Sequence, residues 1–540
     1  MDTGLAFKGD KRVIGLGWQG ENGQVHLSVS EMQAALLELD RPLYAVEQAG
    51  TLGLAAGGRL VPDGSAAPVL GMAPALPIER LGDPAFCQTY GTRYAYYAGA
   101  MANGISTEGL VISLGKAGLM GSFGAGGVPP SRTEAAIQKL KLELPQGPYA
   151  FNLLFTPSEP LLEARAVELY LQHQVRVVEA SAYVALTAPL VQYRVSGLSR
   201  RADGSVAIAN RLIAKLSRLE LAQRFLEPAP ADLLAQLLQS GKITPLQAEL
   251  ARTVPMADDI TVEADSGGHT DNRPLVCMLP AFMALRDQVQ AARRYAQPVR
   301  IGAAGGIGTP EAALAAFSLG AAYVVTGSIN QSCLESGACE HTRNLLAQMD
   351  MTEVAMAPAG DMFEMGARVQ VLKRGSLFAM RAQKLYELYT RYNAWEELPP
   401  PEREKLEKTV FKRDFDSIWN DTVKFFMERD PRQVERGNAN PKDKMALVFR
   451  WYLGLSSRWS VAGEKGREMD YQVWTGPSMG AFNHWVRGTY LEAPQNRHVV
   501  DLAMHILRGC ASLYRLRSLE MQGLVFPAAL HRYIPERPAQ

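Results

Sequence analysis

The sequence predicts a (β/α)8 barrel, on three observations. Short apolar runs alternate with helix-like segments between about residues 95 and 330. The last two runs each end in a glycine turn, where barrel enzymes hold phosphates. A single long interruption comes after the fifth run, and the rest of the repeat is regular.

The eight runs are Tyr96–Ala102, Leu119–Phe123, Tyr149–Phe155, Val175–Ala180, Arg211–Leu216, Ile260–Ala264, Val299–Ala304 and Tyr323–Thr326. Helical patterns succeed most of them, as at Thr107–Lys116, Ser131–Leu142, Glu159–His173 and Pro310–Leu319. An open doubly wound sheet is the competing arrangement of such a repeat. Between Leu216 and Asp258 lie helix-like stretches at Leu219–Phe225, Ala231–Gln239 and Pro245–Arg252. That is too long for an ordinary barrel loop. Because it comes after the fifth strand, it is expected to rise over the mouth as a helical lid, at about residues 217–258. Its Leu233, Leu234, Leu237 and Leu238 either line a ligand tunnel or pack on the barrel, and packing is the simpler reading.

The chain divides in three. Residues 1–80 form a small N-terminal region, with strand-like runs at Gln24–Val29 and Pro42–Val46 and a Gly-, Ala- and Pro-rich stretch at 55–77 that suits a linker or an irregular wrap. Residues 81–340 form the barrel. Residues 341–540 are mainly helical and hold six of the seven tryptophans, which argues for a packed region and against a disordered tail.

Composition narrows the function. The chain has 540 residues, 47% hydrophobic and 21% charged, as in ordinary globular proteins. Its 56 basic and 55 acidic side chains leave a net charge of +1, which argues against a dedicated nucleic-acid binder. No apolar run is long enough to span a bilayer, and the start MDTGLAFKGDKRV lacks the apolar core of a secretory signal. Five scattered cysteines suggest reduced thiols in a cytoplasm, and no cysteine–histidine spacing suits zinc, so no metal site is expected.

Four motifs carry candidate chemistry. The run from Gly15 to Gly20 fits G-x-G-x-x-G, but the next residues look like a hairpin and not the helix a dinucleotide requires, so it reads as a turn. Gly305-Gly306 after the seventh strand and Gly327-Ser328 after the eighth can converge on a phosphate through backbone amides. Gly267 and Gly268 end the sixth strand and allow close approach of a flat ligand, with His269 beside them as a proton donor or acceptor. Met101, Ala102, Asn103 and Gly104 end the first strand with mostly small side chains, Asn152 ends the third, and Lys215 nears the end of the fifth. Asn152 suits a ring carbonyl or imide, and Lys215 suits negative charge on a reduced ring or a phosphate.

These residues lie in segments that resemble a known family. EADSGGHTDNRP, AAGGIGTPEAALAAFSLGAAYVVTGSINQ and YAYYAGAMANGIS are similar to the flavin-dependent nitronate monooxygenase and enoyl reductase superfamily. VEASAYVALTAPLVQYR, APAGDMFEMGARVQVLKRGSLFAMRAQKLYELYTRY and MALVFRWYLGLSSRWS more closely resemble the PfaD family, the separate enoyl reductase subunits of bacterial polyunsaturated fatty acid synthases. Related enzymes act in trans on polyketide synthases. The likeness runs from about residue 80 to 525, and residues 1–80 match only loosely. It implies an FMN-binding TIM barrel that uses NADPH to reduce a 2-enoyl thioester on an acyl carrier protein. It implies that Gly305, Gly306, Gly327 and Ser328 hold the FMN phosphate, while Met101, Ala102, Asn103, Asn152, Lys215, Gly267 and Gly268 surround the ring and ribityl chain. His269 matches the superfamily's active-site histidine. The carrier is expected to be acidic, and the basic run Arg432, Arg436, Lys442, Lys444 and Arg450 is either its dock or a solvated face. A homodimer is a further possibility. The alternative activity is that of a nitronate monooxygenase, which uses FMN with oxygen.

Overall fold

The protein is described by a computed structural model that covers residues 16–20, 24–62, 66–157 and 159–537. An antiparallel sheet opens the chain, built from β1 (Leu16–Gln19), β2 (Leu43–Gln48), β3 (Thr51–Ala56), β4 (Arg59–Pro62) and β5 (Ala67–Ala73) in the order β3-β2-β5-β1-β4. The Gly- and Ala-rich stretch expected to be a linker is therefore mostly strand. Its small residues permit close packing, as at Gly71, where a β-carbon would come within 2.9 Å of Leu524. The strand expected at Gln24–Val29 is absent. His26 makes one isolated bridge to Leu54, and Val29 opens the helix Val29–Leu37, because Ser28 and Glu31 form a reciprocal capping box. Leu16–Gln19 pairs with β4 and β5 and opens no helix, while Gly15 and residues 21–23 lie outside the described residues.

All eight expected runs become one closed parallel barrel. Its strands are β6 (Tyr96–Ala98), β7 (Met120–Phe123), β8 (Ala150–Leu154) and β9 (Val177–Ser181), then, after a small hairpin of β10 (Leu198–Arg200) and β11 (Val206–Ile208), β12 (Arg211–Leu216) and β13 (Asp259–Glu263). The short β14 (Gly268–His269) stands outside the wall, and β15 (Arg300–Ala304) and β16 (Val324–Thr326) complete it. Closure comes from β16 pairing with β6. The helix Pro84–Tyr90 packs Phe86 and Tyr90 against Tyr97, Ile213 and Tyr323, with Phe86 stacked on Tyr323 at 4.2 Å between centroids. Tyr323 reaches in because Gly302 has no side chain, and a β-carbon there would lie 2.3 Å from its ring.

Buried ion pairs lie at the N-terminal ends of the strands. Asp259 accepts two hydrogen bonds from Arg300, each 2.7 Å, and one from Tyr90. Asp258 accepts from Arg194 and Arg211, each at 2.6 Å, and from the Leu212 amide at 2.9 Å.

The insertion after β12 forms the helices Leu219–Leu226, Ala231–Gln239 and Pro245–Leu250. It is not a lid over the mouth. It packs on the barrel flank against the helices Ala188–Ser196 and Leu275–Arg293, and none of residues 217–258 lines the mouth. The reason is amphipathicity: each helix is short and must bury its apolar side on a neighbour. Phe225, Leu226, Leu234 and Leu237 are buried in the barrel core cluster, while Leu238 is 40% exposed, so the leucines pack and form no tunnel.

The strand signal returns beyond the barrel as β17 (Val354–Pro358) and β18 (Arg368–Leu372), an antiparallel pair to which β14 adds. Helices Phe378–Arg391, Phe415–Arg429 and Pro441–Ala462 share one apolar core with this pair. The helix Val499–Glu520 bridges the first sheet to the barrel helix Pro310–Ser318. Among the described residues, no helix is long and apolar enough to cross a membrane.

Candidate active site

A cavity of about 490 Å3 lies at the C-terminal mouth of the barrel, within the usual size range of small-molecule sites. Eleven of the thirteen residues singled out from the sequence line it, all but Gly104 and Gly306. Gly104 instead turns the first loop at φ +71°, its amide donating to Gly124 at 2.9 Å. Gly306 (φ +75°) stands directly behind Gly305 in the seventh loop.

The glycines differ in why they are glycine. At Gly305 (φ +84°) a β-carbon would sit 2.7 Å from the Ala264 carbonyl carbon, so this turn needs glycine to pass the sixth loop. Gly267 is equally constrained, against the Thr475 backbone at 2.7 Å. Gly327 is constrained by neither rule. Its φ is −135°, and a β-carbon would meet no atom within 4 Å. The space it leaves belongs to the cavity. Beside it, the Ser328 hydroxyl accepts from the Gly476 amide at 3.0 Å, and Gln331 has a buried Nε2 with no partner among the described residues. This is a cradle with room for a phosphate, and the residues present fit one.

The floor carries matched charges. Lys215 Nζ lies 3.1 Å from Glu263 and 3.6 Å from Glu179. Burial would lower the lysine pKa, but the two carboxylates outweigh it and hold the ammonium charged. Glu179 is fully buried and accepts from the Ala100 amide at 2.9 Å. Asn152 donates to the Glu179 carbonyl at 3.2 Å and to Ser181 at 3.0 Å, which fixes its amide orientation at the cavity wall.

His269 is half-buried, and its Nε2 lies 3.2 Å from Asp361. Burial disfavours the imidazolium, but Asp361, helped by Glu263, raises the histidine pKa above its ordinary value. Burial likewise opposes ionisation of Asp361, yet His269 holds its pKa below the usual carboxylate range. The strand pairing of His269 with Val369 sets the ring at this position.

Sequence reasoning missed the partners. Asp361 is ninety-odd residues from His269 in a loop without a motif. Glu179 and Glu263 did leave a signal: both occupy a V-E-A triplet, 178–180 and 262–264, on the two strands that flank the strand of Lys215. The cover was also missed. It comes from beyond the barrel, with Phe425, Phe426, Leu447, Trp451 and Arg458 among its lining residues. Asn103 ties it down by donating to Ser457 at 2.8 Å.

The expected basic dock is largely engaged within the fold. Arg432 pairs with Asp430 at 2.8 Å, Arg436 with Asp443 at 3.5 Å and Arg450 with Glu364 at 3.2 Å. Lys442 lies over Tyr389, and Lys444 lies over Phe415 and Trp419.

A closed parallel barrel with Lys215, Glu263, His269 and Asp361 gathered at its C-terminal mouth defines a TIM-barrel enzyme scaffold. The family described as nitronate monooxygenase matches residues 88–374, and the PfaD N-terminal domain of fatty acid synthases matches residues 18–75. The chain belongs to the nitronate monooxygenase family, in the PfaD lineage that its first domain marks. Residues 392–471 further match the inserted helical domain of [acyl-carrier-protein] S-malonyltransferases.

Among relatives, a polyunsaturated fatty acid synthase subunit of Thraustochytrium sp. is 48% identical over 500 residues, 91% of this chain and 33% of that one. The polyketide biosynthesis protein PksE of Bacillus subtilis is 46% identical over 444 residues, 82% of this chain and 58% of that one. The chain thus spans between a third and three fifths of these relatives' lengths. The crystal structure of the enoyl reductase domain of MlnA, from the macrolactin cluster of Bacillus amyloliquefaciens, is 41% identical with a TM-score of 0.78. That match covers 82% of this chain and 99% of the domain.

Proposed function

We propose that the protein is an FMN-dependent enoyl reductase that acts in trans, reducing 2-enoyl thioesters on an acyl carrier protein with NADPH. The reading rests chiefly on the near-complete coverage of the MlnA enoyl reductase domain at 41% identity. The polyunsaturated fatty acid and polyketide synthase relatives supply the carrier-bound context. Five free cysteines accord with a cytoplasmic setting.

When bound, FMN supplies the hydride chemistry between NADPH and the β-carbon of the enoyl thioester. The chain's own residues bind, orient and protonate. The Gly305-Gly306 turn and the Gly327-Ser328 turn hold the cofactor's phosphate, and Met101, Ala102, Gly267 and Gly268 leave a low wall for its ring. Lys215, fixed between Glu179 and Glu263, keeps a positive charge at the floor. His269, whose pKa Asp361 raises against the effect of burial, donates a hydrogen bond to the thioester carbonyl or a proton to Cα. The aromatic cover of Phe425, Phe426 and Trp451 lines one side of the site with apolar surface.

The test is turnover by the FMN-reconstituted protein. Consumption of NADPH with crotonyl thioester and formation of butyryl thioester is expected. Turnover with a propyl nitronate and oxygen, and none with the thioester, would overturn the proposal in favour of a monooxygenase.

A further inference from the structure

The helix Pro441–Ala462 faces the cavity with Leu447, Arg450, Trp451, Gly454, Leu455 and Arg458. The spacing of three and four residues puts these side chains on one stripe. Two members of the stripe are unexplained by the fold.

The first is Arg458. Its guanidinium makes one long contact, 3.5 Å to the Gly127 carbonyl, and no carboxylate pairs with it among the described residues. Arg429 acts on its charge, and that arginine already holds Glu159. Both arginines and Glu159 line the cavity, so this wall carries two cations against one anion. Asp421, the remaining acid nearby on the cover, is taken by Arg413 at 2.6 Å. Arg458 stands exposed at the cavity's rim, where partial desolvation and the neighbouring Arg429 disfavour its charge and Glu159 opposes them in part.

The second is Gly454. It sits one turn before Arg458, inside a 22-residue helix where glycine is a poor helix former. Nothing lies within 4 Å of where its β-carbon would be, and its φ is not positive. Neither packing nor backbone conformation calls for glycine. It leaves an open window in the cavity wall beside an unmatched arginine.

We infer that Arg458, with Gly454 as the steric window beside it, anchors a phosphate group of an incoming ligand. The inference deepens the proposed function, because two of that reaction's ligands carry a phosphate at a distance from the reacting atoms. One is the phosphodiester of a pantetheine arm, and the other is the 2′-phosphate of NADPH. An arginine fork suits either through paired N–H donors.

Calorimetric titration of the FMN-reconstituted full chain separates the sources. One arm compares crotonyl-phosphopantetheine with crotonyl-pantetheine, and the other compares 2′-phosphoadenosine 5′-phosphate with adenosine 5′-phosphate. The wild type should prefer the phosphorylated member of at least one pair by about tenfold or more, as expected for a charge-assisted hydrogen bond. Arg458→Gln should abolish that preference, and Arg458→Lys should retain part of it. Gly454→Leu should weaken the same phosphorylated ligand without lowering the melting temperature. No preference in either arm, or a preference that survives Arg458→Gln, would overturn the inference. Unchanged affinity in Gly454→Leu would remove the window from it. Binding needs no turnover, so a protein that fails to reduce crotonyl thioester yet loses its preference in Arg458→Gln would sink the enoyl reductase reading alone.

Discussion

Strand β13 carries an acid at each end, and the two ends serve different purposes. At its start, Asp259 is saturated by two bonds from Arg300 and one from Tyr90, far from the cavity. At its finish, Glu263 meets Lys215 at 3.1 Å and lines the mouth, where His269 and Asp361 also stand. The N-terminal pair closes its own hydrogen bonds and holds the barrel together. The C-terminal groups leave capacity facing open space. The same side-chain chemistry becomes scaffold or site according to which end of the strand it occupies.

Breaking the scaffold end should give the largest effect on stability. Asp259→Ala strands Arg300 without its carboxylate, and such a loss costs about 3–5 kcal/mol. Chemical denaturation should report it, and a melting temperature equal to wild type would show that the pair is not structural. At the mouth, His269→Ala should slow enoyl reduction by about 10²–10⁴-fold, the usual worth of a positioned acid. FMN should still bind, and its retention after gel filtration separates this effect from misfolding.

The pH profile sharpens the contrast. Because Asp361 raises the His269 pKa, the protonated form persists below that raised value and is lost as pH rises through it. The stabilisation from the raised histidine is complete below its unfolded pKa and fades on the same rise. The rate should therefore fall on the alkaline side. Asp361→Asn should move that limb to lower pH, and a limb that stays in place would assign it to another group.

Gly327→Val should leave the stability within about 0.5 kcal/mol of wild type, since no neighbour or φ opposes the side chain. It should nonetheless weaken FMN retention. The smallest change is expected on the cover's outer face. Charge reversal at Lys442 and Lys444 breaks contacts with Tyr389, Phe415 and Trp419 worth about 0.5–1 kcal/mol each. It should barely alter KM for a carrier-bound substrate, and a large rise in KM would restore this face as the dock.

Legibility in the sequence obeys the same geometry. The barrel repeat was readable because every strand is a short apolar run, and the glycine turns were readable because backbone conformation and close approach demand glycine at Gly305 and Gly267. His269 stood out through its neighbours in the chain. Asp361 did not, since only the pairing of β14 with β18 brings it there. The insertion after β12 was visible as helices but not as a flank, because its destination depends on which neighbours offer apolar surface. The cover was invisible for the same reason: a helix stripe that faces a cavity has the spacing of one that faces a core.

The most direct measurement is an anaerobic stopped-flow experiment on the FMN-loaded protein and on His269→Ala, first with NADPH and then with a crotonyl thioester. The account predicts that NADPH bleaches the flavin in both proteins, and that the thioester restores its colour quickly in wild type and slowly in the variant. A flavin that NADPH cannot bleach, or one that the thioester reoxidises equally fast in both proteins, would contradict it.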